Sequence, residues 1–206
     1  MSCIAVIDFE TTGLSPAMGD RATEVAIILL ENGHVVDRFQ SLMNAGVHIP
    51  AFITGLTGIS NAMVATAPDA VDVILAANRF VGKTPMVAHN AAFDKKFWEA
   101  ELRRAGVVAM QPFACTLLVS RRLYPQAPSH KLGVLVDYHR LPKTGRAHRA
   151  MADAEMAASL LGQIQHDLRN RHGVVSPDHA LLLTLQRCAK PALQALMARY
   201  AAAVQA

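Results

Sequence analysis

The chain has 206 residues, 52% of them hydrophobic and 17% charged, with a formal net charge of +4 and a pI near 9.2. That composition excludes a disordered chain and suits one globular domain with a small appendage. The best apolar run, "VAIILL" at Val25 to Leu30, is far too short to span a bilayer, and no basic leader precedes Asp8 and Glu10, so a cytoplasmic protein with no membrane role is expected.

In chain order, Ile4 to Glu10, Glu24 to Leu30 and Val35 to Met43 read as three strands joined by the polar turns "LSPAMGD" and "ENGH", an antiparallel meander. A helix is predicted near Ala67 to Phe80. "PMVAHN" reads as a short fourth strand running into the helix "AAFDKKFWEAELRRAG", which Gly106 closes. Helical pieces at Ala114 to Tyr124 and Leu132 to Tyr138 precede a long helix at Arg149 to Leu168. Strands first, then strands alternating with helices, argue for an α/β or α+β sheet with helices packed on it. Beyond Gly173, Ser176 is the expected N-cap with Pro177 at the first helical position, and Pro191 marks a second start. Leu193, Leu196, Met197, Tyr200 and Val204 share one face of that last helix, which must be buried against its own domain, a second copy or a protein partner. The cysteines Cys3, Cys115 and Cys188 are odd in number and far apart, which suits small core residues better than a disulfide framework or a zinc site.

Charge is unevenly spread. From Arg121 to Arg149 there are seven basic residues against one acid, Asp137, which reads as a solvated face or, given other signs of a nucleic acid, as the segment laid along its phosphates. In a strand, Asp8 and Glu10 point the same way, in line with Ile4 and Val6. Two carboxylates on a partly buried surface repel each other unless one takes a proton or a hard divalent cation such as Mg²⁺ or Mn²⁺ sits between them. Asp94 falls early in a helix that begins where a strand ends, the edge at which α/β sheets bind ligands, although the helix dipole also accounts for an acid there. In "GRAHRAMADAEM", His148 stands five residues before Asp153. A helix from Arg149 leaves the imidazole outside and anchors the carboxylate, an arrangement suited to a base and a metal ligand.

"DFETTG", "HNAAFD" and "HRAMADA" resemble, in order, the three motifs of the DEDDh group of 3′-to-5′ exonucleases, which are similar to the proofreading epsilon subunit of bacterial replicative DNA polymerase. "IPAFITGLTGIS" (Ile49 to Ser60) and "CTLLVSRRLYP" (Cys115 to Pro125) add to the resemblance, which covers about residues 4 to 168. The sister group carries a Tyr four residues before the last Asp. Arg149 occupies that place here, and His148 precedes it. The resemblance implies that Asp8, Glu10, Asp94 and Asp153 hold two divalent ions, Mg²⁺ or Mn²⁺, and that His148 is the general base, an imidazole of unperturbed pKa about 6.5. It also implies that Thr11 and Thr12 cradle the terminal sugar, that Leu56 and Ile59 press on the terminal bases, and that Asn90 and Phe93 line the strand's path. Core packing competes for Leu56, Ile59 and Phe93.

The fold so implied is α/β and ribonuclease-H-like: a five-stranded mixed sheet flanked by helices, with a C-terminal helical extension. Its fifth strand is expected near Val107 to Ala114. Residues 1–170 would form the exonuclease domain and 171–206 the extension. The implied activity is removal of nucleoside 5′-monophosphates from single-stranded or frayed 3′ ends of DNA in replication or repair. The alternative is RNA trimming, like ribonuclease T or oligoribonuclease. A non-catalytic nucleic-acid-binding module would have lost one of the five site residues, and all five are filled. "QIQHDLRN" lacks the paired apolar ending of a clamp-binding peptide and no polymerase segment is fused, so a stand-alone enzyme is expected, self-associating if at all through its tail.

Overall fold

The computed structural model describes residues 3–145 and 148–202. Its sheet is built from β1 (Cys3–Thr11), β2 (Ala22–Glu31), β3 (His34–Leu42), β4 (Met86–Ala88) and β5 (Phe113–Cys115) in the order β3-β2-β1-β4-β5. β1, β2 and β3 are antiparallel neighbours, whereas β4 pairs parallel to β1 and β5 parallel to β4. This is the expected five-stranded mixed sheet. Asn32 and Gly33 take left-handed conformations at φ 51° and 84°, the geometry that a two-residue hairpin turn between β2 and β3 requires. β3 forms one edge, and its residues His34 to Arg38 are exposed, with Asp37 and Arg38 charged, which discourages pairing with another chain.

Around the sheet stand α1 (Ala51–Thr57), α2 (Asn61–Ala65), α3 (Ala70–Val81), α4 (Ala91–Arg104), α5 (Thr116–Leu123), α6 (Leu132–Tyr138), α7 (Ala150–His172), α8 (His179–Arg187) and α9 (Leu193–Ala202). β1 explains the two layers. Ile4 and Val6 pack in one buried cluster with Ala150, Ala154, Ala157 and Leu161 of α7. Ala5, Ile7 and Phe9 pack in the other with Ile74 of α3 and Phe97, Trp98 and Leu102 of α4. A strand covered on both faces has to be apolar throughout, so an acid in it stands out.

The structure shortens the fifth strand. Only Phe113–Cys115 pairs, and the preceding link is held by Gln111, whose side chain accepts from the indole of Trp98 (3.0 Å) and donates to the carbonyl of Gly82 (2.7 Å). The helix expected from Ala114 starts at Thr116, since β5 occupies the residues before it.

The tail is also corrected. Asp178, not Ser176, caps α8, its carboxylate accepting the amide of Leu181 at 2.8 Å, while the carbonyl of Pro177 accepts from the buried Gln165 of α7 at 3.1 Å. Pro191 lies in a 3₁₀ turn, and α9 begins two residues later. Met197 is buried, and Leu193, Leu196 and Tyr200 pack against the same cluster as Ile4 and Val6; Val204 lies outside the described residues. Leu181, Leu182 and Leu185 of α8 are interior members of that cluster. Leu182→Ala is expected to destabilise the protein by about 2–5 kcal/mol, read from urea unfolding midpoints. A loss below about 1 kcal/mol would mean that α8 contributes little to the core.

Of the basic segment, Arg149 is paired with Glu24 at 2.9 Å and Lys143 with Asp137 at 2.7 Å, while Arg121, Lys131 and Arg140 are exposed. Arg146 is outside the described residues. The three cysteines are free thiols: Cys115 is buried, and Cys3 and Cys188 are partly so. Among the described residues no helix is long and apolar enough to cross a membrane.

Candidate active site

Three elements converge where β1 ends. Alternation along β1 turns Asp8 and Glu10 toward α7, as it does Ile4 and Val6. Asp94 is the fourth residue of α4 and is 2% exposed, its carboxylate accepting the amide of Phe9 at 3.2 Å. Asp153 is the fourth residue of α7, and its carboxylate accepts the amide of His148 at 3.1 Å. His148 is exposed and left-handed at φ 59°, a conformation uncommon outside glycine, so the chain reverses there just before the helix. Ligand atoms of Glu10, His148 and Asp153 lie within 4.8 Å of one another. Asp8, Glu10, Asp94, His148 and Asp153 all line one cavity of about 220 Å³.

Electrostatics set this cavity apart. Burial raises the pKa of Asp8 well above the carboxylate range, and Asp94, Asp153, Glu10 and Glu24 push it further. Burial, with Asp153, Glu24 and Asp94, pushes Glu10 up to about 8 against the opposing Arg149. Asp94 is raised by burial, partly offset by the hydrogen bond from Phe9 and by Lys96. Asp153 is raised by burial, with His148 acting the other way. Such crowding of like charge is costly, and a polyvalent cation is the economical relief. The donors are hard carboxylate oxygens with one imidazole beside them, a set that fits Mg²⁺ or Mn²⁺.

The profile of the exonuclease family matches residues 5–161, a span that contains every one of these five residues. The chain belongs to the exonuclease family. Over 164 residues the chain is 37% identical to the PolC-type DNA polymerase III of Bacillus subtilis, covering 79% of this chain and 11% of the polymerase. It is also 37% identical over 168 residues to the 3′-5′ exonuclease DinG of the same organism, covering 80% of this chain and 18% of that protein. The chain thus spans between a tenth and a fifth of the length of these curated relatives. Among solved structures, Exonuclease X in complex with 5′ overhanging duplex DNA superposes with a TM-score of 0.67 at 26% identity, over 89% of this chain and 99% of that one. The family resemblance carried by the motifs therefore holds at the level of the exonuclease family.

A second histidine, not singled out from the motifs, lines the cavity. His89 follows β4, with Nε2 2.9 Å from the carbonyl of His130 and Nδ1 2.9 Å from the hydroxyl of Thr116. A carbonyl can only accept, so these partners assign the proton to Nε2 and leave Nδ1 to accept from Thr116. Burial lowers its pKa to about 4. His89 is therefore a neutral, fully engaged imidazole, whereas the ring of His148 stands exposed beside the carboxylates. The signal for His89 lay in its place directly before Asn90 in "HNAAFD".

The other residues singled out from the motifs divide. Thr11 lines the cavity and its hydroxyl donates to the carbonyl of Gly13 at 2.6 Å. Leu56 and Phe93 line it as well, with Nζ of Lys96 5.0 Å from the Phe93 ring centroid. Thr12 is buried, its hydroxyl oxygen accepting the amide of Arg21 at 3.0 Å, so its side chain braces the loop. Asn90 is exposed and stands at the N-cap position of α4 in a left-handed conformation, with no side-chain cap, outside the cavity lining. Ile59 is fully buried with Ile49, Ile53 and Val64, so its side chain faces that small core and not a terminal base. Left-handed Gly58 ends α1 and turns Ile59 away, and Ile53, one turn before Leu56, lines the cavity instead. Leu14, 76% exposed, adds an apolar edge on the opposite loop.

The raised acids carry a stability consequence. Their folded pKa values exceed the unfolded range of about 4, so the native state binds more protons than the unfolded one. Their favourable contribution is present below that range and disappears as pH rises through about 8, the value for Glu10. Near and below pH 6.5 the imidazoles of His89, His139 and His179, whose pKa values burial lowers, act in the opposite sense, so the comparison lies above that range: the metal-free protein is expected to melt about 2–6 °C higher near pH 7 than near pH 8, by calorimetry in EDTA. A Tm that rises over this interval would contradict the crowding.

Proposed function

We propose that this exonuclease removes nucleoside 5′-monophosphates one at a time from single-stranded or frayed 3′ ends of DNA in replication or repair, in the cytoplasm. In this reading Asp8, Glu10, Asp94 and Asp153 hold two divalent ions, Mg²⁺ or Mn²⁺, and His148 is the general base. The observation that carries it is the meeting of all five side chains, drawn from β1, α4 and the start of α7, on one cavity wall. When bound, the ions supply charge stabilisation for the phosphoryl and departing oxygens.

The chain's own residues account for the rest. His148 takes the proton of the water whose oxygen bonds to phosphorus, the bond from phosphorus to the 3′ oxygen of the penultimate nucleotide breaks, that oxygen takes a proton from solvent, and the terminal nucleoside 5′-monophosphate leaves. Exposure lets the imidazole pass that proton to solvent, which a residue engaged like His89 cannot do. Thr11 and the backbone at Gly13 receive the terminal sugar, and Leu14, Leu56 and Phe93 offer apolar surface to the last bases. The tail's apolar stripe lies on the chain's own core, which supports α8 and α9 as an extension docked on a catalytic unit of residues 1–170 over a homodimer or partner surface.

The test uses 5′-labelled DNA and RNA oligonucleotides of one sequence with Mg²⁺ or Mn²⁺. A ladder shortening from the 3′ end, faster on DNA and abolished by EDTA, is expected. Faster shortening of RNA would move the substrate to the exoribonuclease alternative. Shortening that starts elsewhere than the 3′ end, or that survives EDTA, would overturn the mechanism.

A further inference from the structure

Glu24 belongs to none of the motifs, yet it is a charged side chain only 1% exposed. It is the direct cross-strand partner of Glu10, so the two carboxylates share a face of the sheet. What keeps Glu24 ionised there is a full set of donors. Its Oε1 accepts from Nη2 of Arg149 and Nε2 of Gln40, each at 2.9 Å, and its Oε2 from Nε of Arg149 and the amide of Ala150, each at 3.1 Å. Four hydrogen bonds fill the positions a carboxylate offers. Burial pushes the pKa of Glu24 up, but the bonds from Arg149, Gln40 and Ala150 outweigh it and hold the group below its ordinary value.

The donors are informative because of where they sit. Ala150 is the first residue of α7, and its N-cap, Arg149, makes no side-chain cap. Glu24 thus does from β2 what a local Ser or Asp would do: it satisfies a free helical amide and places negative charge at the helix N-terminus. The segment it fastens is the one that bears the chemistry. The amide of His148 is held by Asp153, and the amide of Asp153 by the carbonyl of Arg149, each at 3.1 Å. Residues 148–153 form one hydrogen-bonded unit, and its link to the sheet lands one strand away from Glu10.

We propose that Glu24 and Arg149 are positioning residues of the exonuclease: a buried ion pair that caps α7 from the neighbouring strand and so sets where His148 and Asp153 stand relative to Glu10. This rests on the reading of the cavity as the site of 3′-end hydrolysis. Neither residue touches the reacting atoms in this role; each acts through the start of α7.

The experiment measures kcat and KM on a single-stranded DNA oligonucleotide with Mg²⁺ for Glu24→Gln, Arg149→Met, Arg149→Lys and the double variant Glu24→Gln/Arg149→Met. Amide hydrogen exchange at residues 148–153 is followed in the same proteins. Glu24→Gln sets an amide donor against the donors of α7, and Arg149→Met removes the fork. Each is expected to lower kcat about 10- to 100-fold with KM within about twofold, the usual scale for groups that orient a metal site. The double variant should lose no more than the worse single, because both break one link. Arg149→Lys, which keeps the charge but not the fork, should recover part of the loss. Exchange should quicken across 148–153 and not in β1.

Unchanged kcat in Glu24→Gln and Arg149→Met would overturn the proposal. So would a raised KM at constant kcat, which makes Arg149 a substrate contact, or losses that multiply in the double variant. Should Glu24→Gln fail to fold, the partly exposed Arg149 variants carry the test alone. A wild type inert on every 3′ end would strike at the activity itself, and the exchange readout still decides the anchor: unaltered exchange at 148–153 refutes it.

Discussion

Asp8→Asn is expected to cut turnover by at least about 10²–10³-fold, the scale of losing one preorganised group that stabilises charge in the transition state, and at the same time to raise the Tm of the metal-free protein. The two effects share one cause. Burial, with Asp94, Asp153, Glu10 and Glu24, raises the pKa of Asp8 well above the carboxylate range, so keeping this acid in the folded protein costs stability whether it takes a proton or stays charged, and a neutral amide of the same shape removes that cost. Relief of about 1–2 kcal/mol corresponds to roughly 2–8 °C for a chain of this size. Wild type should gain Tm on adding Mn²⁺ at pH 8, and Asp8→Asn should gain far less. A variant that stays active, or that melts lower than wild type without metal, would remove Asp8 from the ligand set.

The second large effect is at His148. Its left-handed backbone makes Ala a poor choice, because the strain of φ 59° would be added to the loss of the imidazole. Asn tolerates that conformation and removes only the base. His148→Asn is expected to lower kcat about 10²- to 10⁴-fold, the range for a lost general base, with KM little changed. The limb of the pH–rate profile that reports the imidazole should vanish with it. Since His89 is neutral with both ring nitrogens engaged, it cannot stand in. A pH profile that keeps the same limb in His148→Asn would assign the proton transfer to another group.

Much of this site follows from local pattern. The alternation of Ile4, Val6, Asp8 and Glu10 is enough to place both acids on one face of a buried strand, because side-chain direction in a strand depends only on position. The start of α4 behind "HNAAFD" and of α7 behind "HRAMADA" sets Asp94 and Asp153 in first turns for the same reason. Where readings failed, the deciding partner lay far along the chain. Ser176 and Asp178 are both good caps by residue type, and the hydrogen bond from Gln165 to the carbonyl of Pro177 lies just ahead of Asp178, which caps α8. Ile53, Leu56 and Ile59 look alike as apolar residues in a Gly-broken helix, and which faces the cavity depends on the core that Ile49 and Val64 close around Ile59.

Sequence by itself thus determined the strand and helix that carry each acid, the pairing of Asp8 with Glu10, and the resemblance to the exonuclease family. Only the tertiary structure decided that the His89 ring is engaged at both nitrogens and His148 is exposed, that Ile59 is core, and that Glu24 accepts the first amide of α7. The physical reason is that residue type and spacing govern backbone direction over a few residues. Burial, hydrogen-bond satisfaction and charge pairing depend on groups brought together from distant segments, as when Arg149 meets Glu24 across 125 positions of chain.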